Sequence, residues 1–254
     1  MEKENQENFY FSGSHYDNLI RSKEFSSRRI QFYKEKSKKY GDTVLELACG
    51  TGEVSIPIAK EGLSVIGLDF SEVMLKQAQE KSNKFGLKIE WVKGNMTNFN
   101  LNKNFSLIIM PGAAWNWILE NESVENCLSC VKSHLDQNGR FIFDAFNPDL
   151  NILQRDSTQK FPLHEYPNPD EEGNVIVRGT TSYEKSSQIM HHRAYYEIGD
   201  KEIIKELKLR MYFPQELNAL LYHNGFIIDQ KFGTYNEEPF DSESNLQIII
   251  CHKK

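Results

Sequence analysis

The sequence predicts an α/β protein with a doubly wound, mostly parallel sheet of seven strands and an antiparallel sheet inserted after the fifth strand. Apolar strand-like runs alternate with helical patterns from Gly41 to about residue 150, as in a parallel sheet covered by helices on both faces. Three β-rich runs joined by hairpin-length connectors then follow without an intervening helix. The alternation resumes at Pro214 and continues to the end of the chain.

Four segments follow from this pattern. They are an aromatic and then helical lid segment (1–40), the first part of the α/β core (41–150), the inserted sheet (151–213) and the completion of the core (214–254). The inserted segment opens with a polar, proline-rich stretch, residues 151–173, which predicts a loop.

The first part of the core contains five strands. The first, TVLELAC, ends in a glycine-containing turn, and the helix EVSIPIAKEG that follows accepts Pro57 only in its first turn. The second strand, SVIGLDF, leads into a helix with Ser71 as a good N-cap and Gly86 as a good stop signal. The third, fourth and fifth strands are KIEWVKGN, FSLIIMPG and RFIFDAFN. The helix before the fifth strand, ESVENCLSCVKSHLDQNG, is expected to end at its Asn-Gly pair.

The remaining elements complete both sheets. The strands of the inserted sheet are NVIVRGTTSYE, QIMHHRAYYEI and EIIKELKLRMYF, with KSS and GDK as connectors. The last helix is PQELNALLYHNG, with Pro214 near its start and Gly225 just past its end. The two closing strands are FIIDQKFG and LQIIICHK.

Composition argues against several classes of protein. The 254 residues carry a formal charge of −6, which argues against a nucleic-acid partner because such partners require a basic surface. The N-terminus lacks the apolar region of a signal peptide, and no apolar run is long enough to span a bilayer, so we expect no membrane contact and a cytoplasmic location. The four cysteines form neither a disulfide framework nor a complete metal-ligand set, and no metal is predicted.

The turn after the first strand limits the ligand. A P-loop needs a lysine after its glycines, and none is present. A dinucleotide turn, G-x-G-x-x-G, has Ser55 at its third position and is only partly matched. The third pattern, E/D-x-G-x-G-x-G, fits from Glu46 to Gly52 with Ala48 as the one departure. An acid beside the turn repels a pyrophosphate, whereas it can bind the ammonium group of S-adenosylmethionine (SAM). Asp69, at the end of the second strand, suits the ribose of either ligand.

Residues 44–149 resemble a class I SAM-dependent methyltransferase. The segment LELACGTGEVSIPIAKEGLSVIGLDFSEVML resembles the first two motifs of that family, and WVKGNMTNF resembles its adenine-binding segment. FSLIIMPGAAWNW and LDQNGRFIFDAFNPDL resemble the fourth strand with its loop and the fifth strand. The resemblance implies a Rossmann-like fold, methyl transfer from SAM, and S-adenosylhomocysteine (SAH) as the product.

The resemblance also implies roles for individual residues. Glu46, Ala48 and Gly50 line the methionine end of SAM, and Asp69 takes the ribose. The other implied cofactor residues are Tyr16, Phe70, Met74, Asn95, Met96 and Met110, of which Phe70, Met74, Asn95 and Met96 lie at the adenine. Many family members have Asp where this chain has Asn95. The carbonyl of Asn95 can also accept a hydrogen bond from the adenine amino group.

The methyl acceptor is expected to be a small molecule, methylated at nitrogen or oxygen. The motif [DNS]-P-P-[YFW] of nucleic-acid amino methylation is missing after the fourth strand, which reads MPGAAWN, and no Pro-Cys nucleophile is present. By resemblance to enzymes that methylate amino sugars, glycine-type amines and other metabolites, the N-terminal segment and the insertion cover the site. The acceptor-binding candidates are Tyr10, Trp115, Asn116, Arg193 and Tyr195.

Strand alternation suggests a catalytic residue in MHHRAYY. It places His191, Arg193 and Tyr195 on the face opposite Ala194, so they face solvent, a partner or the substrate, and His191 is the candidate general base. Other hypotheses stay open: a SAM-binding protein without transferase activity, a methyltransferase that acts on RNA or protein, and a homodimer formed through the inserted sheet.

Overall fold

The structure is a computed structural model that describes His15, Asp17 and residues 23–254. Its strands are β1 (Thr43–Leu47), β2 (Ser64–Asp69), β3 (Glu90–Lys93), β4 (Phe105–Met110), β5 (Leu135–Phe146), β6 (Phe161–Pro167), β7 (Asn174–Glu184), β8 (Ile189–Ile198), β9 (Lys201–Arg210), β10 (Phe226–Phe232) and β11 (Leu246–Lys253). Its helices are α1 (Lys23–Tyr40), α2 (Ser55–Lys60), α3 (Glu72–Lys84), a 3₁₀ helix (Ala114–Trp117), α4 (Asn121–His134), α5 (Leu150–Leu153) and α6 (Pro214–His223).

Seven strands form one sheet in the order β10-β11-β5-β4-β1-β2-β3. The pairs among β1 to β5 are parallel, while β11 runs antiparallel to both of its neighbours, β5 and β10. Each face of the sheet is covered by a separate buried cluster, one containing Leu128 of α4 and Leu217 of α6, the other containing Phe32 of α1 and Ile58 of α2. The predicted doubly wound, mostly parallel fold is confirmed.

The second sheet has four antiparallel strands in the order β6-β7-β8-β9 and lies between β5 and α6 in the chain. Its first strand, β6, falls within residues 151–173, where the sequence predicted a loop, so that prediction is wrong. Pro162 and Pro167 concealed this strand. Proline cannot donate a backbone hydrogen bond, but an edge strand has one side where no donor is needed, and β6 is an edge strand.

The helix before the fifth strand is shorter than the sequence predicted. It ends at His134, and β5 already begins at Leu135, whereas the expected end was the pair Asn138-Gly139. Leu135 is fully buried and pairs with Phe105, and the next pairing is Leu107 with Arg140. The Asn-Gly pair therefore lies in a bulge of β5 and does not stop a helix.

Candidate active site

The turn after β1 has the backbone conformation that its glycines predict. Ala48, Gly50 and Gly52 all have positive φ, at 54°, 52° and 78°. Such angles are accessible to glycine and costly for most other residues. A Cβ on Gly52 would lie 2.7 Å from the ring of Trp91 on β3 and 3.1 Å from the side chain of Ile56 on α2, so this glycine also allows both elements to pack closely against the turn. The turn exposes backbone at the carboxyl ends of β1 and β2, where ligands of parallel sheets bind.

Glu46 is a buried acid just before this turn. Its carboxylate accepts a hydrogen bond from the hydroxyl of Ser55, the first residue of α2. Burial raises the pKa of Glu46 to about 8, the Ser55 hydrogen bond opposes the shift, and the charge of Glu53 adds to it. A buried carboxyl with one side-chain donor is poised to ionise when a cation arrives.

Asp69 is buried at the carboxyl end of β2. Its two oxygens accept hydrogen bonds from the backbone N–H of Gly50 at 2.7 Å and of Ser71 at 2.9 Å. Burial raises the pKa of Asp69, and the donors from Ser71 and Gly50 oppose that shift. Each carboxylate oxygen can accept a second bond, so capacity remains for a pair of ligand hydroxyls.

The residues expected near the adenine differ in exposure. Phe70 is 37% exposed, whereas Met74 is buried and Met96 packs against the core. Asn95 is exposed, and its carbonyl accepts hydrogen bonds from both the N–H and the hydroxyl of Thr97, each at 2.9 Å. Because both lone pairs of that carbonyl are used, the side of Asn95 available to an adenine edge is its NH₂ group, a donor.

Met110 differs from the exposed cofactor candidates in that its side chain lies in the core. It is the last residue of β4, and its side chain is fully buried in the cluster that contains Leu45 and Trp115. Within the described residues, its side chain is core packing, so only the backbone at the end of β4 faces the edge of the sheet. Tyr10 and Tyr16, the other aromatic candidates, lie outside the described residues.

A third buried carboxylate, Asp144, was not singled out from the sequence. It lies on β5 and accepts hydrogen bonds from the Tyr33 hydroxyl at 2.6 Å and from the backbone N–H groups of Gly112 and Ala113 in the turn after β4. Tyr235 also bonds to it, and burial raises the pKa of Asp144 against the effect of these donors. The one available signal was an acid inside an otherwise apolar strand, which is unusual unless the acid has partners.

The N-terminal part of the chain contacts the glycine turn directly. Asp17 accepts a hydrogen bond from the Thr51 hydroxyl at 2.7 Å and forms an ion pair with Lys81 of α3 at 2.7 Å. Arg29 of α1 pairs with Glu53, and its guanidinium lies 3.4 Å from where a Cβ on Gly112 would be. These contacts place Asp17 and Arg29 beside the carboxyl edge of the sheet.

Two acceptor candidates in the 3₁₀ helix are buried. The ring of Trp115 stacks on Phe143 with centroids 4.5 Å apart. The NH₂ of Asn116 donates to the carbonyl of Arg210 at 2.7 Å, and its carbonyl accepts from the N–H of Phe146 at 2.9 Å. Both ends of the Asn116 side chain therefore bind backbone at the two points where the insertion joins the core.

The structure does not bring His191, Arg193 and Tyr195 to the glycine turn. Arg193 is exposed and pairs with Glu206 at 2.6 Å, and the ammonium of Lys160 lies 3.8 Å from the ring centroid of Tyr195. The opposite face of β8 is the buried one, since Ala194 and Tyr196 pack there. We call this buried face, which also carries Tyr166 and Val177 and packs against Trp117 and Leu153, the inner face.

A groove at the other edge of the sheet does not alter this assignment. It is lined by Thr43, Ser64 and Phe105, the first residues of β1, β2 and β4, and by the loops around them. Ligands of doubly wound sheets bind at the carboxyl ends of the strands, so this groove lies at the wrong edge.

The side chains at the carboxyl edge fit SAM. Three acids, Glu46, Glu53 and Asp69, surround the glycine turn. They disfavour a pyrophosphate and suit a ligand with an ammonium and a sulfonium, beside which Glu46 can ionise. Asp69 retains acceptor capacity for two ribose hydroxyls, and the turn leaves its backbone open. Among the described residues, no group of three or more metal-binding side chains is found.

Comparisons with known proteins agree with this chemistry. Residues 44–139 match the family of methyltransferase domains. A putative methyltransferase from Geobacillus sp. (strain WCH70) is 28% identical over 200 residues, which are 72% of this chain and 81% of that protein. In the fold, the chain is similar to a SAM-dependent methyltransferase from Clostridium acetobutylicum, with a TM-score of 0.76, 23% identity and coverage of 94% and 96%. It is also similar to a SAM-bound amino pentose methyltransferase from Micromonospora echinaspora, with a TM-score of 0.71, 16% identity and coverage of 95% of both chains.

The fold, the glycine turn with its acids and the matching domain together define a SAM-dependent transferase. The chain is a class I SAM-dependent methyltransferase, and its cofactor is SAM. No helix in the described part of the chain is long and apolar enough to cross a membrane.

Proposed function

We propose that the chain transfers the methyl group of SAM to an amino nitrogen of a small-molecule acceptor. The observation that carries the proposal is the placement of the inserted sheet. Its inner face packs against the 3₁₀ helix after β4 through Trp117, and Asn116 fixes the insertion to the end of β5. This attachment supports an inserted sheet that covers the edge where parallel α/β proteins bind ligands, and a site covered in this way suits a small acceptor.

Charge and similarity support an amine. The acids at the glycine turn favour cationic groups, and the chain as a whole carries a charge of −6. The solved structure of an amino pentose methyltransferase shares this fold over 95% of the chain. We propose that the inserted sheet (151–213) binds the acceptor and that residues 1–40 form a lid on the other side of the site.

For the cofactor, we propose roles that use the observed hydrogen bonds. Glu46 binds the ammonium of SAM, Arg29 binds its carboxylate, and the remaining acceptor positions of Asp69 bind the two ribose hydroxyls. Asn95 contacts the adenine through its NH₂ group because Thr97 occupies its carbonyl. SAM supplies an electrophilic methyl group, and the chain's task is to align the acceptor and exclude water.

For the acceptor, we propose the inner face of the inserted sheet in place of the outer one. Adjacent tyrosines on β8 allow a matched test, because Tyr196 lies on the inner face and Tyr195 on the outer face. Tyr196→Phe should raise the KM for the acceptor about fivefold, the effect of one lost hydrogen bond of about 1 kcal/mol. Tyr195→Phe should leave KM unchanged. The reverse result would restore Tyr195, Arg193 and His191 as acceptor residues.

The function itself is tested with a panel of amines and alcohols. The protein is incubated with SAM carrying a deuterated methyl group, and products are detected by mass spectrometry. We expect a labelled methyl on at least one primary or secondary alkylamine and none on alcohols of the same skeleton. Methylation of RNA or protein substrates, with no labelled small molecule, would contradict the proposal.

The outer face of the inserted sheet is the surface we propose for a homodimer. Ile204 is 51% exposed there, beside the ion pairs Arg193–Glu206 and Lys160–Glu202. The free edge of β9 is less suitable, since lysines at Lys201, Lys205 and Lys208 oppose strand pairing. Sedimentation velocity of Ile204→Glu beside the wild type tests this surface, and a wild type that is monomeric at every concentration excludes it.

A further inference from the structure

Three side chains from two distant parts of the chain form a hydrogen-bonded series. The Nδ1 atom of His15 lies 2.9 Å from the hydroxyl of Tyr166 on β6, and its Nε2 atom lies 3.0 Å from a carboxylate oxygen of Asp170. His15 and Tyr166 are each 5% exposed, whereas the side chain of Asp170 is 71% exposed. The series thus runs from the inner face of the inserted sheet to solvent.

The chemistry of the three groups fixes the direction of the hydrogen bonds. An ionised carboxylate only accepts, so Nε2 of His15 carries the proton that is donated to Asp170. In a neutral imidazole the other nitrogen is then an acceptor, and the Tyr166 hydroxyl donates to Nδ1. This is the order of carboxylate, imidazole and hydroxyl that activates a hydroxyl in hydrolases. Two lone pairs on the Tyr166 oxygen remain for another donor.

The series lies close to the cofactor turn. Asp17 is two residues after His15 and accepts a hydrogen bond from Thr51 in that turn. Two residues of chain span at most about 7 Å. The hydroxyl of Tyr166, on the inner face, is therefore linked to the turn that binds SAM through two short side-chain contacts and two residues of chain. Burial raises the pKa of the Tyr166 phenol, so this hydroxyl needs a neighbouring base to pass on a proton.

We propose that Tyr166 is the catalytic residue that removes a proton from the acceptor ammonium, and that His15 and Asp170 are the positioning residues that carry the proton to solvent. The proposal rests on the proposed function, because it assumes an amine acceptor. Amines are mostly protonated near neutral pH, and only the neutral form has the lone pair that attacks the methyl group.

The proton transfer balances as follows. A proton of the acceptor ammonium moves to the Tyr166 oxygen while the hydroxyl proton moves to Nδ1 of His15, which gives a neutral amine and an imidazolium paired with Asp170. The amine lone pair then forms the N–C bond as the C–S bond breaks, and the electron pair of that bond stays on sulfur. The imidazolium releases its Nε2 proton to water through exposed Asp170, which leaves the neutral Nδ1–H tautomer. Uptake of a solvent proton at Nε2 and loss of the Nδ1 proton after product release then restore the starting tautomer, so that one proton in total leaves the site in each turnover.

The test compares two acceptors. One is the best alkylamine from the panel, and the other is its O-alkylhydroxylamine analogue, whose amino group is already neutral near neutral pH and needs no base. Tyr166→Phe and His15→Gln should lower kcat for the alkylamine about 100-fold, as for loss of a general base. The same variants should keep kcat for the analogue within about threefold, and SAH affinity should stay within about twofold.

Matched controls come from the last helix, α6. Tyr222→Phe and His223→Gln remove the same chemical groups from exposed positions on α6. These variants should leave kcat unchanged for both acceptors. A second measurement needs no acceptor: nitrogen NMR of labelled histidine in the SAH complex should show His15 neutral with its proton on Nε2. Circular dichroism confirms that each variant is folded.

Each outcome decides the question. If the variants lose kcat equally with both acceptors, or lose none with either, the proposed proton transfer through Tyr166, His15 and Asp170 is wrong. Tyr166 then only holds the N-terminal segment in place. An NMR result that places the proton of neutral His15 on Nδ1 also contradicts the proposal. If the wild type binds SAH but methylates no amine, the proposed function is wrong, and the proposed proton transfer is wrong with it. This result comes from the wild type alone and is distinct from any effect of the variants.

Discussion

Three buried carboxylates at the carboxyl edge of the sheet differ in how many donors they receive. Glu46 has the hydroxyl and the backbone N–H of Ser55, and Asp69 has the backbone N–H groups of Gly50, Phe70 and Ser71. Asp144 has the hydroxyls of Tyr33 and Tyr235 and the backbone N–H groups of Gly112 and Ala113. A buried charge is costly unless hydrogen bonds compensate it. The pKa of Glu46 therefore rises to about 8, and this acid has the most to gain from a cationic ligand.

Glu46→Gln should make the unliganded protein more stable at high pH. The folded pKa of about 8 exceeds the ordinary glutamate pKa of 4.5, so the folded state binds more protons, and wild-type stability falls as pH rises between those values. Glutamine cannot titrate, so the stability of the variant relative to the wild type should rise by about 3 kcal/mol from pH 5 to pH 8. Urea unfolding at several pH values measures this.

The same substitution should weaken SAM binding, because a neutral amide replaces the partner of the ammonium. The control is Glu125→Gln, an exposed acid on α4 that should leave the pH dependence unchanged. A Glu46→Gln variant whose stability follows the wild type at every pH would show that Glu46 is ionised in the unliganded fold.

Asp69→Ala should reduce cofactor affinity. Hydrogen bonds to a charged acceptor contribute about 1.5 to 3 kcal/mol, so the Kd for SAH should rise at least about tenfold. Isothermal titration measures the Kd, and far-UV circular dichroism checks that the fold survives loss of the bonds from Gly50 and Ser71. An unchanged Kd would remove Asp69 from the ribose site.

At the residue scale, sequence patterns predicted what local spacing determines. The acid of Glu46 and the glycine turn are consecutive residues, so their geometry follows from the motif. The partners of Asp144 lie 111 residues away at Tyr33 and 31 residues away at Ala113, and no local pattern encodes such a meeting. The outer position of Tyr195 was predicted correctly from alternation, whereas the inner face that we propose for the acceptor is defined by tertiary packing.

At the element scale, Asp144 holds the turn after β4 in an unusual conformation. Gly112 and Ala113 have φ of 76° and 56°, and this arrangement points two successive N–H groups at one carboxylate. Consecutive backbone donors of this kind form a concave anion site. The acid thus joins α1, β5 and the turn that precedes the 3₁₀ helix.

Asp144→Asn should destabilise the protein by about 3 kcal/mol, since the amide NH₂ would face backbone donors in a site with no water access. Thermal unfolding measures the loss. Tyr33→Phe, which removes one donor and keeps the acid, should cost about 1 kcal/mol. Equal effects from the two variants would mean that the backbone donors contribute nothing.

The elements themselves were mostly predictable. Apolar periodicity with capping signals such as Ser71 identifies α3 and its neighbours, and the Ser71 hydroxyl does accept from the N–H of Met74. The two errors, β6 and the end of α4, share a cause. Pro162 locally disfavours a strand, and Gly139 locally favours the end of a helix. In both places the strand to which the residue belongs forms in spite of that preference.

At the scale of the whole molecule, the two sheets are joined by Asn116. Asn116→Ala would leave the Phe146 N–H and the Arg210 carbonyl without this partner. We expect a loss of about 2 to 4 kcal/mol and faster hydrogen exchange in β6 to β9, with exchange in β1 and β4 unchanged. The control is Asn174→Ala on β7, whose side chain is exposed and bonds only to Glu165 among the described residues. Uniform acceleration across both sheets would show that they unfold as one unit.

The hydrogen bonds of Asn116 also indicate how enzymes with this architecture can diversify. Because one amide group reaches both the end of β5 and the end of β9, the insertion leaves and re-enters the core at neighbouring points. The entropic cost of closing a loop between two fixed points grows only logarithmically with the length of the loop. A change in the length of the inserted segment therefore alters this cost little. Residues 147–210 can therefore be exchanged for a segment of different length and shape while the glycine turn, Glu46 and Asp69 stay as they are. If the inserted sheet binds the acceptor as we propose, a new acceptor preference can arise by grafting this single contiguous segment.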